Sequence, residues 1–239
     1  PFVVVDPGVK KTPVAFRSAE ESDKEPYPIP VNPPIEGAGR TDGRGDRHLL
    51  MIHPKECRLY ELFAVYPANG GWEAGSGAIF DLRGYGLRPK FWTSADAAGL
   101  PIFPGLVRYE EVARGEIGHA LRVTVPRTRG AFVWPGRHRA SRLKSESLPA
   151  MGQRFRLRAG FDTSGLAPQA RVIAEALKRY GMMVADHGGA WFLSGAPDER
   201  WIDGQLAGLK RIKGMDFEAV DMTSLMADEE TGRVRSGKE

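Results

Sequence analysis

The sequence predicts a mainly β fold, a β-sandwich or distorted barrel, with one or two helices packed on it in the C-terminal third. Short apolar, β-branched and aromatic runs recur along the 239 residues, separated by turns drawn from 29 glycines and 18 prolines. HALRVTV (119–125) and RFRLRAGF (154–161) alternate in side-chain character from one residue to the next, as a half-buried strand does. Only one stretch, 168–180, carries a strong apolar stripe at helical spacing, so strands do not alternate regularly with helices and a doubly wound parallel sheet is not expected.

Taken in order, FVVV (2–5) and VAF (14–16) are short strand candidates. EPYPIPVNPPIEG cannot be a helix interior, because repeated prolines remove amide donors and fix φ, so residues 1–47 are expected to lie on the domain as an extended Pro-rich strap. RHLLMIH (47–53) and RLYELFAVY (58–66) read as strands joined by the HPKE turn, and their nearly continuous apolar content predicts burial on both faces. Within the Gly-rich segment 68–86, GAIFDL is one short strand. In HALRVTV, His119, Leu121, Val123 and Val125 share one face, and Ala120, Arg122 and Thr124 the other. AFVW (131–134) and RFRLRAGF are further strands, the latter with Phe155, Leu157 and Ala159 opposite Arg154, Arg156 and Arg158.

PQARVIAEALKRY (168–180) is the best helix. Val172, Ile173, Ala176, Leu177 and Tyr180 form its stripe, Pro168 suits the first turn and Gly181 ends it. MMVADHGGAWFLSG (182–195) predicts two strands around His187-Gly188-Gly189, and MDFEAVDM (215–222) a last one. DERWIDGQLAGLKRI (198–212) is a weaker helix, with Gly204 and Gly208 in its interior. The expected organisation is a single β-rich domain over 1–225, including the strap, followed by a polar tail over 226–239.

Composition narrows the function classes. With 41% hydrophobic and 27% charged residues the chain is ordinary globular material, and it has no apolar run long enough to span a membrane. It begins at Pro1, so a preceding or processed segment is expected. The lone Cys57 permits no internal disulfide, and its strand-like surroundings predict a buried small hydrophobe. Net charge is +4 but uneven: nine arginines and Lys144 face a single acid, Glu146, between Arg122 and Arg158, while seven acids follow Met215. Because the basic run spans several strands, its arginines point in different directions, which favours a solvated face or contact with an acidic glycan over nucleic acid. GRGD (43–46) holds an Arg-Gly-Asp triplet that chance in a Gly-rich loop explains better than adhesion.

Dinucleotide and phosphate-loop glycine motifs, HExxH, CxxC and GxSxG are all absent, so no cofactor is expected and a serine or cysteine nucleophile has little support. Carboxylates are better placed. Asp81 sits among the apolar residues of GAIFDL, Asp96 among the small residues of TSADAAG, and Glu116 three residues before His119. Such groups with separated pKa values suit glycoside hydrolysis, Asp81, Asp96 and Glu116 as acid or base candidates with His48 and His119 orienting them. Trp72 and Trp92 stand in turn contexts suited to stacking on sugar rings, and Arg108 and His48 complete the expected substrate set. Structural roles compete with each assignment: a helix cap for Asp96, an arginine pair for Glu116, core packing for the tryptophans. A glycan-binding module without turnover is the alternative, and a metal held by His48, His119 and His138 a second.

HLLMIHPKECRLYELF, GAIFDL, WTSADAAGLPIFPGLVRYEEV, GEIGHALRVT, FVWPGRHRAS and ALKRYGMMVADHGGAWFLSG, in that order, resemble a family of secreted bacterial proteins found in soil actinobacteria and myxobacteria. The resemblance covers roughly residues 1–225 and implies export, an extracellular location and a polymer-rich habitat; it supplies no catalytic residue. The functional expectation is therefore an extracellular hydrolase acting on a polysaccharide, an acidic one fitting the basic run, with neither nucleic acid nor membrane as partner. FWTSADAAGLPIFPGLVRYEE (91–111) is expected to form one wall of its cleft with Asp96 pointing in, Pro101 and Pro104 stiffening it and Arg108 reaching back to the carboxylates.

Overall fold

The strand-forming runs distribute over three mixed sheets in the computed structural model of the chain, which describes residues 1–38, 45–68 and 70–235. In chain order the strands before the first helix are β1 (Phe2–Val4), β2 (Val14–Phe16), β3 (Leu49–His53), β4 (Arg58–Phe63), β5 (Tyr66–Ala68), β6 (Gly71–Ala74) and β7 (Ser76–Asp81). Helix α1 (Tyr109–Arg114), β8 (Leu121–Val125), β9 (Arg154–Leu157), α2 (Pro168–Arg179), β10 (Met182–His187), β11 (Phe192–Leu193), α3 (Asp203–Leu206) and β12 (Phe217–Val220) follow. The mainly β expectation holds, with its longest helix in the C-terminal third. No helix among the described residues is long and apolar enough to cross a membrane.

The first sheet has the order β1-β3-β4-β7, with β1 parallel to β3 and the other pairs antiparallel. One face packs Leu49, Met51, Tyr60 and Leu62 on Tyr27, Val65 and Ala74. The other carries Leu50 against Ala95, Ile102 and Leu106. A three-stranded sheet, β2-β6-β5, flanks it. The third sheet runs β11-β8-β10-β9-β12, with β8 and β10 parallel. Helix α2 covers one of its faces, burying Ala170, Ile173, Ala174 and Leu177 with Leu121, Val123, Leu157, Met182 and Val184. The stripe is rotated from the expected one: Ala170 and Ala174 are fully buried where Val172 and Tyr180 are only partly so.

Residues 95–107 join the two larger sheets. Ala95, Ile102 and Leu106 pack with the first, while Ala98, Leu100 and Val107 belong to the core of the third. This crossing occupies the stretch that the sequence singles out as a cleft wall.

The Pro-rich strap is woven in rather than laid on. It contributes β1 and β2, a bridge between Thr12 and Tyr27, and the fully buried Tyr27, whose ring meets Phe16 and Tyr60 edge-on at 5.7 Å each. Other expectations need correction. Residues 131–134 make only an isolated bridge, Phe132 to Met151, and the weak helix at 198–212 breaks into α3 and a 3₁₀ turn, Ala207–Arg211, within the glycine-bearing stretch. Cys57 is half-buried in the turn between β3 and β4 with φ 52, not mid-strand. The tail is docked through Arg235: Thr231 bridges Gly86, Arg137 and Lys90 hold Glu230, and Trp134 Nε1 donates to Thr231 O. Gly43 and Arg44 of the GRGD tetrapeptide and residues 236–239 lie outside the described residues.

Because Tyr27 fills the core of the first sheet, Tyr27→Ala is expected to cost about 3–5 kcal/mol, in line with other buried aromatic truncations. Urea unfolding measures it; a loss below about 1 kcal/mol, typical of a surface substitution, would show the strap to be peripheral.

Candidate functional site

The loop at the crossing is held by its own carbonyls. Thr93 O accepts from Arg88 Nε at 2.5 Å, Ser94 O from Ser76 Oγ at 2.7 Å and Ala95 O from His48 Nε2 at 3.0 Å. Asp96 O accepts from the Gly99 amide at 3.0 Å, Ala97 O from His138 Nδ1 at 2.8 Å and Ala98 O from the Arg137 amide at 2.8 Å. Ser94 Oγ accepts the Asp96 amide at 2.9 Å and donates to Leu100 O at 2.6 Å. Gly99 closes the turn at φ +71, where an added Cβ would stand 2.6 Å from Trp92 O. Six successive carbonyls thus have donors from several parts of the fold, which leaves the loop little freedom.

This frame presents the Asp96 carboxylate, 0% exposed, to Arg122 on the outward face of β8. Arg122 Nε donates to Oδ2 at 2.9 Å and Nη2 to Oδ1 at 2.7 Å, a bidentate fork, while Nη1 donates to Ser194 Oγ. Burial alone would lower the Arg122 pKa; the Asp96 charge and hydrogen bonds reverse that and raise it. Asp186 joins the pair through a backbone irregularity. The register of β10 on β8 shifts between Val184 and Asp186, so Asp186 stands opposite Thr124, on the face of Arg122 and away from the α2 core. Its Oδ1 accepts the His187 amide at 2.7 Å. Burial, then the neighbouring Asp96 charge, push its carboxyl up to about 7. Asp186 is therefore half-protonated near neutrality, beside an aspartate held in an arginine fork.

The two aspartates lie in a cleft of about 520 Å³ whose other walls include Phe63, Tyr66, Arg17 and Asp46. Arg17 and Arg47 lie over the Tyr66 ring at 6.0 and 4.5 Å. Two further acids, the half-exposed Glu36 and the buried Glu61, stand behind the loop. His48 places Nδ1 2.6 Å from Glu36 Oε2 and Nε2 3.0 Å from Ala95 O. Both partners are acceptors, so both ring nitrogens donate and the ring is an imidazolium. Burial opposes that charge, but the Glu36 hydrogen bond and charge outweigh it and raise the His48 pKa, while Glu36 falls to about 2. Glu61, fully buried on β4, accepts the Ile102 and Phe103 amides at 2.8 Å each, and burial lifts it to about 7.

Of the expected site residues, Asp96 is among those lining the cleft, with its carboxylate buried against Arg122, and His48 supports its loop rather than contacting it from the cleft. Asp81 is exposed at the end of β7, clamped by Arg83 and lowered to about 2 by that contact; the apolar residues around it belong to the strand, not to a pocket. Glu116 is exposed and pairs with Arg179 at 2.8 Å. His119 and Arg108 form a separate cluster: Arg108 Nη2 reaches His119 Nε2 and Glu111 Oε1 at 2.9 Å each, and Nη1 donates to Phe103 O, tying α1 to the crossing. Arg122 performs the role expected of Arg108. Trp72 packs in the core beside the first sheet and Trp92 lies under Arg88 at 5.4 Å, so the cleft aromatics are Phe63 and Tyr66 instead. His48, His119 and His138 are each engaged elsewhere and do not meet, and no metal-binding group of three such ligands occurs among the described residues.

Comparison with protein-family models, curated proteins and solved structures finds no match to this chain. What the site can do rests on its geometry.

Two outcomes follow. Asp96→Asn or Arg122→Leu alone is expected to cost about 3–5 kcal/mol, since each leaves a buried charge unmatched, and the double variant less than the sum; urea unfolding of the four proteins gives the coupling. Second, Glu61 and Asp186 bind protons more tightly when folded, so their contribution is full below their unfolded values, 4.5 and 3.8, and is lost as pH rises through about 7. The raised His48 adds loss in the same direction above 6.5. Unfolding free energy should therefore fall from about pH 5 to pH 8, and Asp186→Asn should flatten the slope; a rise over that range contradicts the assignment.

Proposed function

We propose that the chain is an extracellular carbohydrate-active hydrolase that cleaves a polysaccharide by carboxylate chemistry, with Asp186 as the proton donor. The carrying observation is the Asp96–Asp186 pair in the cleft: a carboxyl lifted to about 7 beside a carboxylate fixed in an arginine fork. A carboxyl that keeps its proton near neutrality is the general acid that glycoside hydrolysis needs. The Asp96 carboxylate is buried in its fork with Arg122 and acts as a positioning group; its charge raises the Asp186 pKa.

In this reading the Asp186 proton passes to the glycosidic oxygen as the bond from that oxygen to the anomeric carbon breaks. Water supplies hydroxide to the anomeric carbon, and its second proton goes to Asp46, the exposed carboxylate at the cleft rim beside Ala64. Tyr66 and Phe63 offer ring faces to the apolar side of a sugar. Export, which the sequence resemblance implies, belongs to the same proposal, since a polymer substrate is met outside the cell.

Release of reducing ends from a broad polysaccharide panel tests the proposal. Asp186→Asn should reduce turnover by about a hundredfold or more. The rate should fall as pH rises through about 7 as Asp186 loses its proton. Asp96→Asn should move that limb to lower pH, which a purely structural role for Asp96 would not do. Saturable glycan binding without any cleavage would reassign the chain as a binding module; full activity in Asp186→Asn would overturn the choice of acid.

A further inference from the structure

A second cavity, of about 630 Å³, lies on the other side of the loop and is lined by Glu21, Phe91, His138, Arg139, Ser141 and Arg142. Two hydrogen bonds tie its walls to the loop that lines the first cleft. His138 lines this cavity and donates Nδ1 to the carbonyl of Ala97, a residue of the first cleft. Glu21 likewise belongs to this cavity, while its Oε2 takes the amide of Thr93, another residue of the first cleft.

We infer that this cavity is a distal subsite for an anionic sugar unit, one bearing a carboxylate or sulfate, on the polymer whose neighbouring unit occupies the Asp186 cleft; the assignment to the same polymer rests on the hydrolase reading. Three features carry it. Arg139 and Arg142 are exposed and have no ion pair among the described residues, whereas Arg122, Arg137 and Arg156 of the same basic run are all committed to acids. Their guanidinium groups are free to meet a carboxylate or sulfate. Phe91 is 62% exposed at the cavity edge, with φ 70, an unfavourable conformation for a bulky residue. Its amide donates to Arg137 O at 2.7 Å and its ring meets Phe132 edge-on at 5.5 Å, so the fold holds the strained backbone and keeps the ring in solvent. An aromatic face beside two guanidinium groups matches a charged sugar ring, apolar on one face and anionic at its edge. Third, the walls are polar in the way a saccharide needs: His138 Nε2, the O–H of Ser141, whose oxygen accepts the Leu143 amide, and Glu21 Oε1 remain to meet hydroxyl groups.

Nucleic acid fits less well. It needs a longer track of uncommitted cations, and most arginines of the run are turned to internal partners.

Isothermal titration of the whole chain with an oligogalacturonate and with a sulfated dextran oligosaccharide tests the site, with the uncharged parent oligosaccharides and a single-stranded oligonucleotide as comparisons. At least one anionic saccharide should bind more tightly than its neutral parent. Arg139→Ala/Arg142→Ala should weaken it about tenfold or more, and Phe91→Ala by a smaller factor. Arg127→Ala, which removes an exposed cation elsewhere, should leave binding unchanged. Far-ultraviolet circular dichroism and a thermal melt confirm that each variant is folded. Indifference to the double substitution, equal affinity for the neutral parent, or equal arginine-dependent affinity for the oligonucleotide overturns the inference. Arginine-dependent binding with no cleavage of any glycan refutes the hydrolase reading and leaves this site standing; cleavage of an anionic glycan at a rate indifferent to the double substitution does the reverse.

Discussion

The buried fork between Arg122 and Asp96 is the interaction on which the rest of the arrangement depends. It joins β8 of the third sheet to a loop that packs through Ala95 on the first. A buried ion pair adds little net stability, because desolvation offsets most of the attraction, but losing one partner is severe. What it supplies here is a fixed position. With Asp96 satisfied by two N–H groups, its charge stays in the cleft, and Asp186 must titrate in its presence.

A fixed charge is useful only if its carrier does not move. Donors from Arg88, Ser76, His48, His138 and the Arg137 amide converge on the carbonyls of 93–98. His48 is the least replaceable of these, since an imidazolium with acceptors at both nitrogens needs the Glu36 carboxylate to remain charged while buried. Glu61 performs a parallel task at the Ile102 and Phe103 amides, on the far side of the same segment. The crossing and the cleft wall are the same piece of chain, so the packing that joins two sheets also preorganises the site.

The basic run from Arg122 to Arg158 shows how charge counts mislead. Much of its charge is spent inside the protein: Arg122 on Asp96, Arg137 on Glu230 and on backbone carbonyls, Arg154 on Tyr180 O and Arg156 on Glu218. The docked acidic tail neutralises Arg137 through Glu230. Of the charge that remains, Arg139 and Arg142 stand together at one cavity, which suits a small anionic group better than a long anionic chain.

The amino-acid sequence alone determined what depends on near neighbours. The alternation in HALRVTV and the stripe at 168–180 are local patterns, and β8 and α2 appear where they point. The loop around Asp96 was legible for the same reason: prolines, glycines and alanines restrict or permit the backbone wherever the chain goes. Glu61 left a readable signal too, an acid inside a run that predicts burial on both faces. The tertiary structure alone decided which partners meet. Asp81 and Glu116 looked placed for chemistry, yet Arg83 and Arg179 hold them at the surface. Asp186 reaches the cleft because β10 carries an irregularity before it; strict alternation would have sent its side chain toward α2 with Val184. Arg122 finds Asp96 across a sheet boundary, and a pairing between distant parts of the chain leaves no mark in the spacing of a single sequence.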